Sequence, residues 1–273
     1  MNVDDLKTLM VRRDGWRLDV TLNRPRAKNA MSFAMLDELE AVFLTLADDA
    51  TVRVVVLRGA GGDLCAGGDV KDMAAARAAS HTFDGDDPLA LANRRYGRAL
   101  QALEAAPQVV VVVAEGAVMG GGTGLVCAAD VALCLPSARV RLPETGLGLT
   151  PAQIAPFLVR RLGLSQARRL ALTGGELDAA RALEIGLVHE LCLDEAALQA
   201  SLAAVVAQVS RCAPRALART KRLLLGVGDA TGPALDALLD RAAAEFAELA
   251  RGDEAAEGTA AFIEKRPPRW AAP

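Results

Sequence analysis

Five consecutive valines, Val109 to Val113, run toward the triplet Gly120-Gly121-Gly122, and a lone glutamate follows in Leu142-Pro143-Glu144. A short, unbroken β-branched run reads as a strand buried on both faces, which requires covering layers on each side. Glycines after such a strand let the backbone turn sharply and present its N–H groups at a helix start. That is a natural place to hold an oxygen carrying negative charge.

Other segments extend this pattern. Trp16 to Leu22 alternates apolar and polar residues as a half-buried strand does, and Asn23-Arg24-Pro25 closes it. A helix fits Ser32 to Leu46, with Ser32 as N-cap and Leu36, Leu39, Val42, Phe43 and Leu46 on one face. Val52 to Leu57 reads as a second buried strand, and the turn Cys65-Ala66-Gly67-Gly68-Asp69 leads into a short helix. After a polar loop at His81 to Asp87, a helix covers about Ala90 to Ala105. Strands alternating with helices imply right-handed βαβ crossovers and a largely parallel sheet. From Ser165 onward the pattern is almost wholly helical. The division expected is a core over 1–195, carrying the site, and a helical region over 196–273 for packing and assembly.

Composition excludes several classes. A net charge of −3 and 3% aromatic residues offer neither a basic field for phosphate backbones nor platforms for bases, so no nucleic-acid partner is expected. The apolar stretch from Gln108 to Leu135 is interrupted by Glu115 and Asp130, and the N-terminus lacks a basic start and apolar run. A cytoplasmic protein without a membrane partner is the expectation. Five cysteines, none in a Cys-x-x-Cys pair, suit reduced core thiols better than a disulfide framework or a zinc site, and no metal is expected. His81 and His189 show no metal-ligand spacing and read as structural. Cys65 reads as a small buried hydrophobe rather than a nucleophile.

Two backbone N–H groups converging on one carbonyl oxygen stabilise the enolate formed when charge moves onto it, and losing one such donor costs on the order of 3 kcal/mol in the transition state. Gly68 and Gly121 each stand between a strand and a helix, where adjacent parallel strands could bring them together. Two ordinary strand-to-helix turns are the alternative. A nucleotide loop is not: Gly120-Gly121-Gly122-Thr123-Gly124 has no Gly-x-Gly-x-x-Gly register and no following Gly-Lys-Ser/Thr.

Taken in order, several blocks resemble the enoyl-CoA hydratase/isomerase (crotonase) family over nearly the full length. They are Leu22-Asn23-Arg24-Pro25, Cys65-Ala66-Gly67-Gly68-Asp69, Gly120-Gly121-Gly122, Ala129-Asp130, Pro143-Glu144, Leu172-Thr173-Gly174, Ala182 to Val188 and Ala261 to Arg266. The resemblance implies an α/β fold, the crotonase (ClpP-like) β-β-α superhelix, with C-terminal helices forming a homotrimer or dimer of trimers. It implies an acyl-CoA thioester as substrate, coenzyme A entering as part of that substrate with no separate cofactor. By match, Gly68 and Gly121 supply the oxyanion N–H groups. Arg26, Lys28, Ala66 and Lys71 lie along the coenzyme A, and Phe262 and Lys265 approach it from a neighbouring subunit. For the basic residues the alternative is a solvated surface charge, and for Phe262 a core anchor.

Family hydratases of the two-glutamate type carry one carboxylate shortly after the glycine triplet and another in the Pro-Glu segment. Here the first position is Gly124 and the second is Glu144. A glutamate facing an apolar acyl pocket has its pKa raised toward the range where it both donates and accepts a proton. Glu144 could then protonate the α-carbon as water adds to the β-carbon, or alone shuttle a proton between carbons as a Δ3/Δ2-enoyl-CoA isomerase does. A non-catalytic acyl-CoA-binding protein of the same fold is a third reading. The segment Gly146 to Phe157 looks like the branch acting on 3-substituted glutaconyl-CoA, such as 3-methylglutaconyl and isohexenylglutaconyl thioesters. Gln153 and Arg141 are the candidates for a second substrate carboxylate.

Overall fold

A computed structural model of the chain describes residues 6–79, 87–228 and 231–271. Along the chain lie β1 (Leu9–Asp14), β2 (Arg17–Leu22), α1 (Phe33–Leu46), β3 (Val54–Gly59), α2 (Val70–Ala78) and α3 (Pro88–Ala105). They are followed by β4 (Val109–Ala114), β5 (Ala117–Met119), α4 (Gly121–Ala128), β6 (Val131–Cys134), β7 (Arg139–Arg141) and α5 (Ala155–Thr173). The rest comprises β8 (Glu176–Asp178), α6 (Ala179–Glu184), β9 (Glu190–Leu191), α7 (Glu195–Ser210), α8 (Pro214–Val227), α9 (Gly232–Ala250) and α10 (Asp253–Ile263).

Six strands form one sheet in the order β1-β2-β3-β4-β6-β9, parallel throughout except for the β1–β2 hairpin. The valine run is its centre. Val110 and Val112 point into the main core with α1, α3 and α4, while Val111 and Val113 point to the opposite face, where Leu198, Leu202 and Val209 of α7 cover them. All four are fully buried, each contributing roughly 1.5–3 kcal/mol of transfer free energy. Ser32 caps α1 by accepting from the Met35 N–H, and the five apolar residues expected on its inner face are buried.

A smaller sheet, β5-β7-β8, was absent from the sequence pattern, and it changes how the glycine triplet is reached. The triplet does not directly follow the valine strand. The chain leaves β4 at Ala114, turns through Glu115-Gly116, and forms β5 before Gly120. Alongside β5 runs the Leu64–Cys65 segment, with Leu64 N–H donating to Glu115 O (2.8 Å), Cys65 N–H to Ala117 O (2.9 Å) and Met119 N–H to Cys65 O (2.9 Å). This parallel pairing, centred on Cys65 and Val118, holds the two glycine turns side by side.

The C-terminal part is less uniformly helical than its pattern implied, because β8 and β9 interrupt it and α5 begins at Ala155, well before Ser165. Side chains tie α8 back to the sheet: Lys221 Nζ donates to Asp130 Oδ2 (2.7 Å) and to Gln108 O (3.0 Å). Cys65, Cys127, Cys134 and Cys192 are buried free thiols, but Cys212, at the end of α7, is exposed and is not a core thiol. No single described helix is long and apolar enough to cross a membrane. His81 and the expected loop as far as residue 86 lie outside the described residues.

Candidate active site

The first glycine turn is fixed from both flanks. Met31 N–H donates to Gly67 O (2.8 Å) and Asp69 N–H to Met31 O (2.9 Å), so Gly68 sits in a short parallel bridge with Met31. Asp69 caps α2 by accepting from the Lys71 N–H (2.9 Å), and its other oxygen pairs with Arg24 (2.7 Å). Although partial burial opposes it, these partners hold the Asp69 carboxyl below its ordinary pKa.

At the second turn the chain enters α4 through Gly120, whose φ of 50° is a left-handed conformation that L side chains rarely adopt. Gly120 N–H donates to Arg141 O (2.9 Å), and the buried Thr123 hydroxyl reaches both Val118 O (3.0 Å) and Arg141 O (3.2 Å). These bonds pin the start of α4 to the end of β7. Three residues beyond Arg141, the chain opens a 3-10 turn over Glu144–Leu147. Glu144 is thereby placed against the glycine turn: a Cβ on Gly120 would stand 2.7 Å from Glu144 Oε1 and 3.8 Å from the Gly67 Cα. Gly120, Gly67 and Glu144 therefore meet at one point.

The N–H groups of Gly68 and Gly121 have no acceptor among the described residues. Glu144 Oε2 is buried and also has no hydrogen-bond partner among them. Burial pushes the Glu144 carboxyl above its ordinary pKa, the backbone N–H that opposes this being the weaker influence. Two free donors beside a carboxyl of raised pKa can hold an oxyanion and exchange a proton with the adjacent carbon.

Among the residues matched to coenzyme A, Arg26, Lys28, Ala66 and Lys71 fall along one edge of this site. Ala66 N–H donates to Lys28 O (2.9 Å), Arg26 lies in the preceding 3-10 turn Pro25–Ala27, and Lys71 stands in the first turn of α2. Arg26, Lys28 and Lys71 are all exposed. Phe262 and Lys265 are elsewhere, at the exposed end of α10, with no hydrogen bond or ion pair to the glycine turns or to Glu144 among the described residues. Phe262 is 85% exposed, so it is not a core anchor of this chain. Arg141 serves through its carbonyl rather than its charge, since its guanidinium is exposed and donates to Gly174 O (2.8 Å). Gln153 is half-buried and donates to Asn93 Oδ1 on α3 (3.0 Å). His189 accepts from the Ala132 N–H and faces Arg161, a structural position.

Sequence reasoning missed three residues. Asn29 is fully buried and joins the Arg24 N–H to the carbonyls of Ala60 and Asp63, holding the Arg26–Lys28 turn against the turn that follows β3. Thr123 was visible only as part of a glycine-rich run. Tyr96 on α3 donates its hydroxyl to Gly121 O (2.7 Å) and has no local signal beyond its place in an amphipathic helix.

The enoyl-CoA hydratase/isomerase family model matches residues 18–273. Among solved structures, an enoyl-CoA hydratase/isomerase from Marinobacter aquaeolei superposes with a TM-score of 0.92 at 48% identity, covering 97% of this chain and 99% of that one. AtuE of Pseudomonas aeruginosa gives 0.91 at 50% identity, covering 97% and 100%. The 2,3-dehydroadipyl-CoA hydratase of Escherichia coli is 30% identical over 264 residues, 96% of this chain and 98% of that protein. The chain belongs to the enoyl-CoA hydratase/isomerase family. It is an enzyme of that family with the mixed α/β crotonase fold and a helical C-terminal region.

Proposed function

We propose that the protein adds water across the α,β double bond of an enoyl-CoA thioester. The carbonyl would be held by the Gly68 and Gly121 N–H groups, and Glu144 would exchange the α-proton. The observation that carries this reading is that Gly67 and Gly120, the residues just before the two N–H groups left unpaired among the described residues, come together against Glu144, whose Oε2 is buried and unpaired among them. As the double-bond electrons move toward the thioester oxygen, Glu144 gives its proton to Cα and water oxygen bonds to Cβ. The proton released by the water restores Glu144.

For the acyl group we favour a 3-branched glutaconyl thioester. Its second carboxylate would meet the Asn93–Gln153 amide pair, which lies beside Gly97 on α3: a Cβ there would stand 2.0 Å from Gln153 Oε1. Arg26, Lys28, Ala66 and Lys71 would follow the coenzyme A on the same chain, and Phe262 and Lys265 would reach it from a neighbouring subunit. Exposed Leu224, Leu235, Leu239, Phe246, Phe262 and Ile263 on the C-terminal helices support assembly through the 196–273 region as a trimer or dimer of trimers.

Among the described residues a single carboxyl at the site has an oxygen without a partner, which also favours the isomerase reading. Mass spectrometry in H2(18)O with crotonyl-CoA, 3-methylglutaconyl-CoA and a 3-enoyl-CoA separates the two. An 18O-labelled 3-hydroxyacyl product lost in Glu144→Gln is the expected result, whereas a positional isomer of unchanged mass would transfer the assignment to isomerase. Absence of turnover on all three would favour an acyl-CoA-binding role.

A further inference from the structure

Water added to a β-carbon must be held in line with it, and one carboxyl that is also protonating the α-carbon leaves the water's second O–H without a partner. The structure places another polar group beside the second glycine turn. Tyr96, the chain's only tyrosine, reaches from α3 to the first turn of α4. A Cβ on Gly121 would stand 3.3 Å from its ring edge, and a Cβ on Gly124 would stand 1.8 Å from its hydroxyl oxygen. The phenol therefore fills the volume that any side chain at position 124 would need, and Gly124 is the residue that admits it.

Its hydrogen bonding fixes its polarity. Gly121 O can only accept, so the Tyr96 proton points to that carbonyl at 2.7 Å and the hydroxyl offers only lone pairs elsewhere. Burial first, and then the Cys65 and Cys127 thiols and the Glu144 carboxyl, hold the phenol well above its ordinary pKa. It stays protonated, and it flanks Gly121, next in the chain to the Gly120 that lies against Glu144.

We propose that Tyr96 Oη accepts a hydrogen bond from the water that adds to Cβ, giving the site its second polar contact to that water in place of a second carboxylate. The inference rests on the hydratase reading above. Tyr96 gains and loses no proton. Water oxygen bonds to Cβ, one water proton passes to Glu144 as Glu144 delivers its own to Cα, and the other stays on the new hydroxyl, directed at Tyr96 Oη throughout.

The test pairs two reactions in Tyr96→Phe. Hydration needs the water, but exchange of the α-proton of the corresponding saturated acyl-CoA in D2O needs only the N–H groups and Glu144. The expected result is a fall of at least about tenfold in hydration kcat, with KM and the exchange rate within about twofold of wild type. Equal losses in both reactions would mean that Tyr96 acts only through the Gly121 peptide, and no loss in either would make it packing; each overturns the proposal. A wild type that exchanges α-protons but hydrates none of the thioesters would remove the hydratase reading, and this inference with it. As a second variant, Tyr96→Ala combined with Gly124→Glu puts a carboxylate into the vacated volume, and it should recover hydration relative to Tyr96→Ala alone. A double variant no faster than Tyr96→Ala would count against a water contact at this place.

Discussion

At the Gly67–Gly68 turn the supports are charged and reach out to solvent: the buried Asp69 accepts from a helix N–H and pairs with Arg24, whose side chain is 28% exposed. At the Gly120–Gly121 turn the supports are neutral and enclosed: the Thr123 hydroxyl, the Arg141 carbonyl and the Tyr96 phenol. The two also differ in room. A Cβ on Gly68 would meet nothing closer than a Met73 side-chain carbon at 4.0 Å, whereas one on Gly124 would collide with Tyr96. One donor of the pair thus sits on an adjustable, solvated rim and the other in close-packed interior, so the same substitution should have very different effects on the two sides.

The largest effect is expected at the point where the turns meet. Glu144→Gln keeps the volume and removes the exchangeable proton, so kcat in a steady-state assay should drop by about 10²–10⁴-fold while the melting curve stays cooperative. A drop of less than tenfold would relocate the acid/base to another group. Next comes the contrast in room. Gly124→Ala must displace Tyr96 and should lose about 1–3 kcal/mol in urea unfolding, whereas Gly68→Ala should stay within about 0.5 kcal/mol of wild type. Similar losses in the two variants would erase the distinction drawn between rim and interior. Smaller still, Asp69→Ala removes a cap and should cost about 1 kcal/mol at neutral pH.

The finest discrimination comes from pH, because the two carboxyls depart from their ordinary values in opposite directions. Asp69 is lowered from 3.8, so its contribution is present above that pH and fades as pH falls through the folded value. Glu144 is raised from 4.5, so the stability linked to its proton is full below that pH and fades as pH rises through the folded value. The deficit of Asp69→Ala should therefore shrink on acidification. Glu144→Gln should gain stability over wild type as pH climbs from 4.5 toward 8. Thermal melts across pH 3–8 check both, and parallel trends would show that the two carboxyls share one environment after all.

Much of this arrangement was legible in the residues where the signal is local. The Ser32 cap, the inner face of α1, and the unbroken valines of β4 each depend on a few neighbouring positions, and each formed as read. The strands that escaped notice are short or lie at an edge. β5, β7 and β8 have three residues each, too few to show an alternation, and β1 is an edge strand that ends in the exposed run Arg12-Arg13-Asp14. At the site, the glycine turns and Glu144 could be nominated because their residue types are unusual in context. Tyr96 could not, because its meaning depends on an absent side chain at Gly124, 28 positions away along the chain, and only packing reveals the pairing. The exposure of Cys212 and the role of Arg141 through its carbonyl depend in the same way on which neighbours the fold supplies.

The eight residues of α4 span only about 12 Å. That short rod is fastened near its start by the Thr123 hydroxyl at Val118 O and Arg141 O, and beyond its end by Lys221 at Asp130, two residues past its C-terminus. Neither sliding along its axis nor turning about it is open to such a helix without breaking one of these contacts. The aim of the Gly121 N–H is consequently settled when the chain folds rather than when a carbonyl arrives, and little realignment remains for the moment at which charge develops.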